Sequence, residues 1–291
     1  LILSVVRKNK SSEKERNKVP ELPEVEIVCR EMRQALLTQT IQKVEVRERR
    51  LRFLIPPAFE KNLEHLTISS LQRRAKYILV GFQGTSDTLV IHLGMSGRIS
   101  LLSSAESTLC HKHEHVIFTF TSGKEMRFFD PRRFGSMVLM TTPTSLFHKI
   151  GPEPLSEDFS VITLKDSLLN KKSSIKSALL NQHIIAGLGN IYVSEALHKA
   201  QIHPERLAKD LNLYECDALV SAIKKILQRA IAAGGSTLRD HQRTNGEAGS
   251  FQKQFAVYNQ EGKNCPNCQE SVIERILQAN RSTYFCKKCQ H

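Results

Sequence analysis

The sequence predicts an α+β protein: an N-terminal β-sandwich fronted by one helix, a helical domain, and a small cysteine-clasped hairpin at the C-terminus. Three observations predict it. Residues 38–142 are dominated by short runs rich in β-branched and aromatic residues, broken by Gly, Ser and Pro. After Gly151-Pro152-Glu153-Pro154 the apolar spacing changes to a helical period. Near the end, two Cys-x-x-Cys pairs flank two further strand-like runs.

The leading helix is expected over 23–37. Proline is tolerated in a first helical turn, Glu24 and Glu26 suit the positive end of the helix, and Leu22, Val25, Val28, Met32 and Leu36 recur at helical spacing. Strands follow in IQKVEVRERRLRF, LTISSLQRRAKYILVGF, TLVIHLGMSGRISLL, HVIFTF and KEMRFFDPRRFGSMVLM. Consecutive strands with short turns suit a sandwich, and helices collect after it. Five segments result: a leader at 1–19, the sandwich at 20–150, a hinge at 151–170, the helical domain at 171–250 and a finger at 251–291. Within the helical domain a short helix is expected at 174–185, then a Gly187-Leu188-Gly189 turn, then a helix capped by Asn190. Cys216, Leu219, Val220, Ile223, Ile226, Leu227 and Ala230 mark one face of a longer helix that stops at Gly234-Gly235. Residues 234–250 read as a mobile loop.

The chain has 291 residues and a formal charge of +13. Residues 1–19 hold six Lys/Arg and two Glu, a contribution of +4, so the remainder still carries +9. A polyanion is the expected partner, because Lys and Arg neutralise phosphates and release counterions. No apolar run approaches the ~20 residues of a membrane span, so no membrane partner is expected. Residues 1–19 also lack a signal-peptide pattern. Seven cysteines, four of them in two tight pairs, suggest metal binding in a reducing cytoplasm rather than disulfides. Cys265, Cys268, Cys286 and Cys289 are the expected ligands of one structural Zn²⁺ in a tetrahedral all-thiolate site. VIERILQ and STYFC, joined at Ala279-Asn280-Arg281, would form the hairpin of a zinc ribbon. Cys29, Cys110 and Cys216 read as core or inert thiols.

The segment Pro20-Glu21-Leu22-Pro23-Glu24-Val25-Glu26 carries the chemistry. A proline nitrogen inside a chain has no proton, but freed at an N-terminus it is a secondary amine with a pKa of roughly 7.7–8. Such an amine attacks electrophilic carbon and holds it as an iminium. Glu21 beside it would serve as general acid or base.

PELPEVE resembles the opening of the formamidopyrimidine-DNA glycosylase family, in which this proline begins the mature enzyme. Val19 stands where the family has its initiating Met, as a literally translated GTG start would place it, so residues 1–19 are read as a non-native or disordered leader. QRRAKY (72–77), HLGMSG (92–97), DPRRFG (130–135), IAGLGNIY (185–192) and the C-terminal finger resemble further family motifs in the same order. The resemblance implies a bifunctional glycosylase and apurinic/apyrimidinic lyase for oxidised purines, with a helix–two-turn–helix domain, bound to damaged double-stranded DNA. It implies a monomer, cytoplasmic and nucleoid-associated in a bacterium. Pro20, Glu21, Lys76 and Arg281 would be catalytic. Met95, Arg132 and Phe134 would fill the space of a flipped nucleotide, whose extrusion costs a few kcal/mol. His113, Lys172, Lys176 and Asn190 would contact the DNA backbone, the last beside the positive end of a helix. The 234–250 loop would be a lid over the flipped base. Two other readings stand: an endonuclease VIII-like enzyme for oxidised pyrimidines, which PELPE and DPRRF disfavour, and a non-catalytic zinc-dependent DNA binder if residues 1–19 are retained.

Overall fold

The protein is described from a computed structural model that covers residues 19–103, 111–236, 244 and 249–291. Residues 1–18 of the expected leader, Cys110, and all of the 237–248 part of the expected lid except Thr244 lie outside the described residues.

Helix α1 (Leu22–Leu36) starts after Glu21, which is extended, and carries Pro23 in its first turn. The Glu21 N–H donates to the Glu24 carboxylate at 3.0 Å, which satisfies a donor that a helix start leaves open. Val25, Val28, Cys29, Met32 and Leu36 pack into the sandwich core, whereas Leu22 belongs to the core of the helical domain. One helix is therefore anchored in both halves.

The sandwich holds strands β1 (Ile41–Val46), β2 (Ile68–Arg74), β3 (Tyr77–Phe82), β4 (Asp87–His92), β5 (Arg98–Leu102), β6 (Glu114–Phe120), β7 (Glu125–Phe129) and β8 (Ser136–Thr141), with helix α2 (Phe59–Leu63) between β1 and β2. They form two four-stranded antiparallel sheets, ordered β1-β6-β7-β5 and β2-β3-β4-β8. Strand β3 shows the expected period of two: Ile78, Val80 and Phe82 point into the core and their neighbours outward. Phe59 of α2 meets Phe118 of β6 edge-on at 6.5 Å, a favoured aromatic geometry.

Beyond a short α3 (Thr144–Phe147), the chain enters the helical domain: α4 (Val161–Leu168), α5 (Ile175–Leu179), α6 (Asn190–Lys199) and α7 (Leu213–Ala232). Three expectations are corrected here. Residues 151–170 are not all hinge, because Ser160 and Thr163 cap a helix whose Leu164 and Leu168 are buried. The helix expected at 174–185 stops at Leu179, and turns carry the chain to Gly189. Gly189, not Asn190, occupies the cap position of α6, and Asn190 is its first helical residue. Helix α7 matches its apolar stripe, and Asn212 caps it by accepting the Glu215 N–H.

The finger strands β9 (Glu274–Gln278) and β10 (Arg281–Phe285) pair antiparallel around a two-residue turn, Ala279-Asn280. Both turn residues have positive φ, 46° and 60°, as tight hairpins demand. Tyr258, Ile273 and Tyr284 join the helical core, so finger and helical domain share one apolar interior. Among the described residues no helix is long and apolar enough to cross a membrane.

Candidate active site

Glu21 lies at the seam between the two cores, 4% exposed, and Pro20 beside it is buried. Its carboxylate accepts the N–H of Ile191 at 3.0 Å and that of Tyr192 at 3.5 Å, the opening amides of α6. The anion held at this helix start is therefore Glu21, not the phosphate oxygen expected there. Burial dominates its titration and raises its pKa to about 7; Lys76 and the two amides oppose the rise. A carboxyl poised near neutrality can both give and take a proton. A Cβ on Gly189 would lie 2.3 Å from Glu21 Cδ, so the absence of a side chain at 189 makes the seat.

Lys76 sits in the two-residue turn between β2 and β3, after Ala75 at φ +52°. Its ammonium donates to the Leu188 carbonyl at 3.1 Å. Burial lowers its pKa, Glu21 raises it, and Arg281 lowers it again. Glu153 fixes the hairpin: one oxygen takes Arg73 at 2.7 Å, the other takes Arg74 at 2.9 Å and the Ala75 N–H at 2.6 Å. Arg73 also donates to Glu26 of α1 at 2.8 Å. The Leu188 carbonyl accepts Gln182 Nε2 at 2.9 Å as well, and Gln182 Oε1 takes the Gly187 N–H at 2.7 Å. Lys76 is thus held from both domains.

Arg281 is exposed at the start of β10, near enough for its charge to depress both Lys76 and Lys176. The expected phosphate contact of Lys176 is corrected. Its side chain is 1% exposed and its ammonium donates to the Ser282 carbonyl at 3.0 Å and to Thr283 Oγ1 at 2.6 Å. Burial lowers its pKa to about 7. Asn190 Nδ2 donates to the same Ser282 carbonyl at 2.8 Å. Both residues clamp the finger next to Arg281. Lys172 is exposed ahead of α5.

Two loops of the sandwich stand together. Gly94, at φ +66°, is so close to the other loop that a Cβ would lie 2.4 Å from Gly135 N. Fully buried Asp130 staples them, accepting Ser96 Oγ at 2.5 Å and the Gly135 N–H at 2.7 Å. The staple presents Phe134, 46% exposed, with the Arg132 guanidinium 4.9 Å over its ring, and leaves Met95 partly exposed. His113 is partly exposed beside His111 and Phe129.

The four Cys265, Cys268, Cys286 and Cys289 sulfurs all lie within 4.8 Å of one another. Cys265–Cys289 and Cys268–Cys286 are 3.7 and 3.8 Å apart. Zn–S bonds of about 2.3 Å give a tetrahedron with edges of about 3.8 Å, so donor type and spacing both fit the metal.

Several residues that shape the site carried little signal. Glu24, read only as a helix-end charge, is 3% exposed and accepts Tyr192 Oη at 2.6 Å and both the N–H and Oγ of Ser236 at 2.8 Å. It joins α1 to α6 and to Ser236, just beyond α7. Glu31, two turns on, accepts the Thr244 N–H at 2.9 Å and its hydroxyl at 2.7 Å. His92 lies 4.8 Å from the Tyr77 ring, and burial near Lys76 lowers its pKa to about 4.

A near-neutral carboxyl, a buried lysine and an exposed arginine gathered between two cores on a basic chain are groups suited to acid–base chemistry on a polyanionic substrate. The family models "Formamidopyrimidine-DNA glycosylase N-terminal domain" and "Formamidopyrimidine-DNA glycosylase H2TH domain" match residues 19–137 and 150–242. The formamidopyrimidine-DNA glycosylases of Phenylobacterium zucineum and Gluconobacter oxydans are 44% and 45% identical, aligning over 94% of this chain and 100% of theirs. The Lactococcus lactis Fpg in complex with DNA containing an abasic site superposes with a TM-score of 0.85 at 35% identity, over 94% of this chain and all of that one. MutM in complex with DNA containing carbocyclic 8-oxo-G superposes at 0.84 and 36% identity with the same coverage. The chain belongs to the formamidopyrimidine-DNA glycosylase family.

Proposed function

We propose that this protein is a base-excision repair enzyme that removes oxidised purines from duplex DNA and then cleaves the abasic strand. The observation that carries it is the Glu21 carboxyl, buried against the α6 amides with a pKa near 7 and adjacent in sequence to Pro20. The relatives' names and the lesion DNA bound by the structural neighbours support the substrate class.

The Pro20 nitrogen becomes a nucleophile once Val19 and everything ahead of it are removed. Its lone pair attacks the sugar C1′ and displaces the oxidised base, which leaves with the amine proton, and Glu21 then protonates the ring oxygen as the sugar opens to an iminium. That cation is the electron sink for loss of a C2′ proton with departure of the 3′-phosphate, then for loss of the C4′ proton with departure of the 5′-phosphate. Lys76 and Arg281 support the developing charges. Lys172, His113 and Arg132 hold the DNA, and Asn190 adds a donor when DNA displaces its bond to Ser282. Met95 and Phe134, with Arg132, enter the gap that the flipped nucleotide leaves.

Cys265, Cys268, Cys286 and Cys289 hold one zinc ion, which cross-links the finger and supplies no reactive position. The protein acts as a monomer in the bacterial cytoplasm, at the nucleoid. The sandwich at 20–150 provides the nucleophile, and the helical domain and finger provide the opposite wall of the cleft.

Borohydride trapping tests the chemistry. Protein whose N-terminus is Pro20 should become covalently joined to duplex DNA bearing 8-oxoguanine, and protein retaining residues 1–19 should not. An adduct formed equally by both forms would remove Pro20 as the nucleophile.

A further inference from the structure

The finger meets the end of α6 at a contact that involves a metal-ligand sulfur. His198, in the last turn of α6, is 7% exposed, and its Nε2 lies 3.4 Å from Cys265 Sγ. Cys265 is fully buried. Four thiolates around a dication leave a net charge of about −2, and burying that charge is costly unless donors face the sulfurs. Asn267, within the finger, supplies one donor, its Nδ2 lying 3.4 Å from Cys289 Sγ. Among the described residues, His198 is the side chain from outside the finger that reaches a ligand sulfur. A metal-bound thiolate has no proton to give, so the proton of this bond must sit on Nε2.

We propose that His198 is a positioning residue of the metal centre: its Nε2–H donates to the Cys265 thiolate and fixes the first knuckle to the helix whose opening amides seat Glu21. The second knuckle is tied to the same region by the Gln290 side chain and the C-terminal main chain. Gln290 Nε2 donates to the Ile202 carbonyl at 2.9 Å while its Oε1 accepts the Cys286 N–H at 2.9 Å, and the His291 N–H donates to the Gln201 carbonyl at 3.0 Å. The two knuckles are therefore held differently. The second is held through the Gln290 amide and the His291 main chain, neither of which bonds a sulfur, and the first through a side chain that also offsets charge on its sulfur.

The inference rests on the finger being a zinc site, so metal content of the purified full-length protein is measured first. One zinc per chain is expected; no zinc overturns the metal reading and the His198 role together. The protein is then loaded with ¹¹³Cd, and a scalar coupling from the metal through Cys265 Sγ to the His198 Nε2 proton is expected. A loaded centre without that coupling overturns the His198 role and leaves the metal reading standing. In parallel, His198→Leu should lose zinc to a chelator about 10–100-fold more readily and shift the thiolate charge-transfer bands of the Co²⁺-substituted protein. His198→Gln, which keeps a donor, should restore both. Unchanged bands and unchanged zinc loss in His198→Leu would make the contact mere packing. Should His198→Leu fail to fold, the ¹¹³Cd measurement on the unaltered protein still decides.

Discussion

The Glu21 carboxylate and the Ile191 amide meet at 3.0 Å across 170 positions of sequence. That bond joins the first turn of α1 to the first turn of α6, and Gly189 leaves the space for it. A Cβ at 189 would press on Glu21 Cδ at 2.3 Å, while the backbone there, at φ −137°, suits any residue. Gly189→Ala should therefore displace the carboxyl without straining the main chain. An ångström of displacement in a reacting group costs on the order of 10²-fold in rate, so base excision should fall by about that factor while the melting temperature moves by only a few degrees. In a Glu21→Ala background the same substitution should cost almost nothing further, which a double-mutant cycle would measure.

Glu21 also imposes a pH dependence on stability. Its folded pKa is raised, so the folded state prefers the neutral acid. The favourable contribution is fully present below the ordinary carboxylate pKa near 4.5 and is lost as pH rises through about 7. The loss is on the order of 3–4 kcal/mol, since one pKa unit corresponds to about 1.4 kcal/mol. Glu21→Gln should remove that slope. Denaturant titrations at pH 5 and pH 8 should show wild type losing stability relative to the variant between the two.

Glu153 holds Arg73, Arg74 and the Ala75 amide behind Lys76. Glu153→Ala leaves a largely buried guanidinium short of a partner, and breaking such a pair costs roughly 3–5 kcal/mol when fully buried and less here. A loosened turn should lower kcat more than it raises KM, because in the proposed reaction Lys76 acts on charges that develop late. Equal changes in both would assign Glu153 to DNA binding instead.

Metal removal should be felt beyond the finger. Tyr258, Ile273 and Tyr284 are part of the helical core, so chelation or Cys268→Ser should unravel β9 and β10 and expose those side chains. Hydrogen exchange should rise in the finger and at the ends of α6, with the sandwich strands unaffected.

The parts of this protein carried by contiguous or periodic residues were legible before the structure. The cysteine pairs, the α1 stripe, the α7 stripe and the Pro20-Glu21 neighbourhood are all local patterns. Lys176 was misjudged because a lysine at a helix start looks like a surface charge. Its actual partners, Ser282 and Thr283, stand more than 100 residues away. Glu153 is 78 residues from Ala75 and hid in a segment taken for hinge. Asn190 has the side chain of a cap, yet the finger claims its amide. His198 gave no signal because nothing in HKAQIHPER marks which histidine faces a sulfur. Placement was readable where it is encoded next door, and unreadable where folding alone supplies the neighbour.

Helix α1 gives Leu22 to one apolar interior and Val25 onward to the other. Hinging between the halves therefore cannot pass through this helix without tearing a buried leucine from its nest. Motion that admits a duplex must pivot elsewhere, and the start of α1 rides as a rivet through both plates.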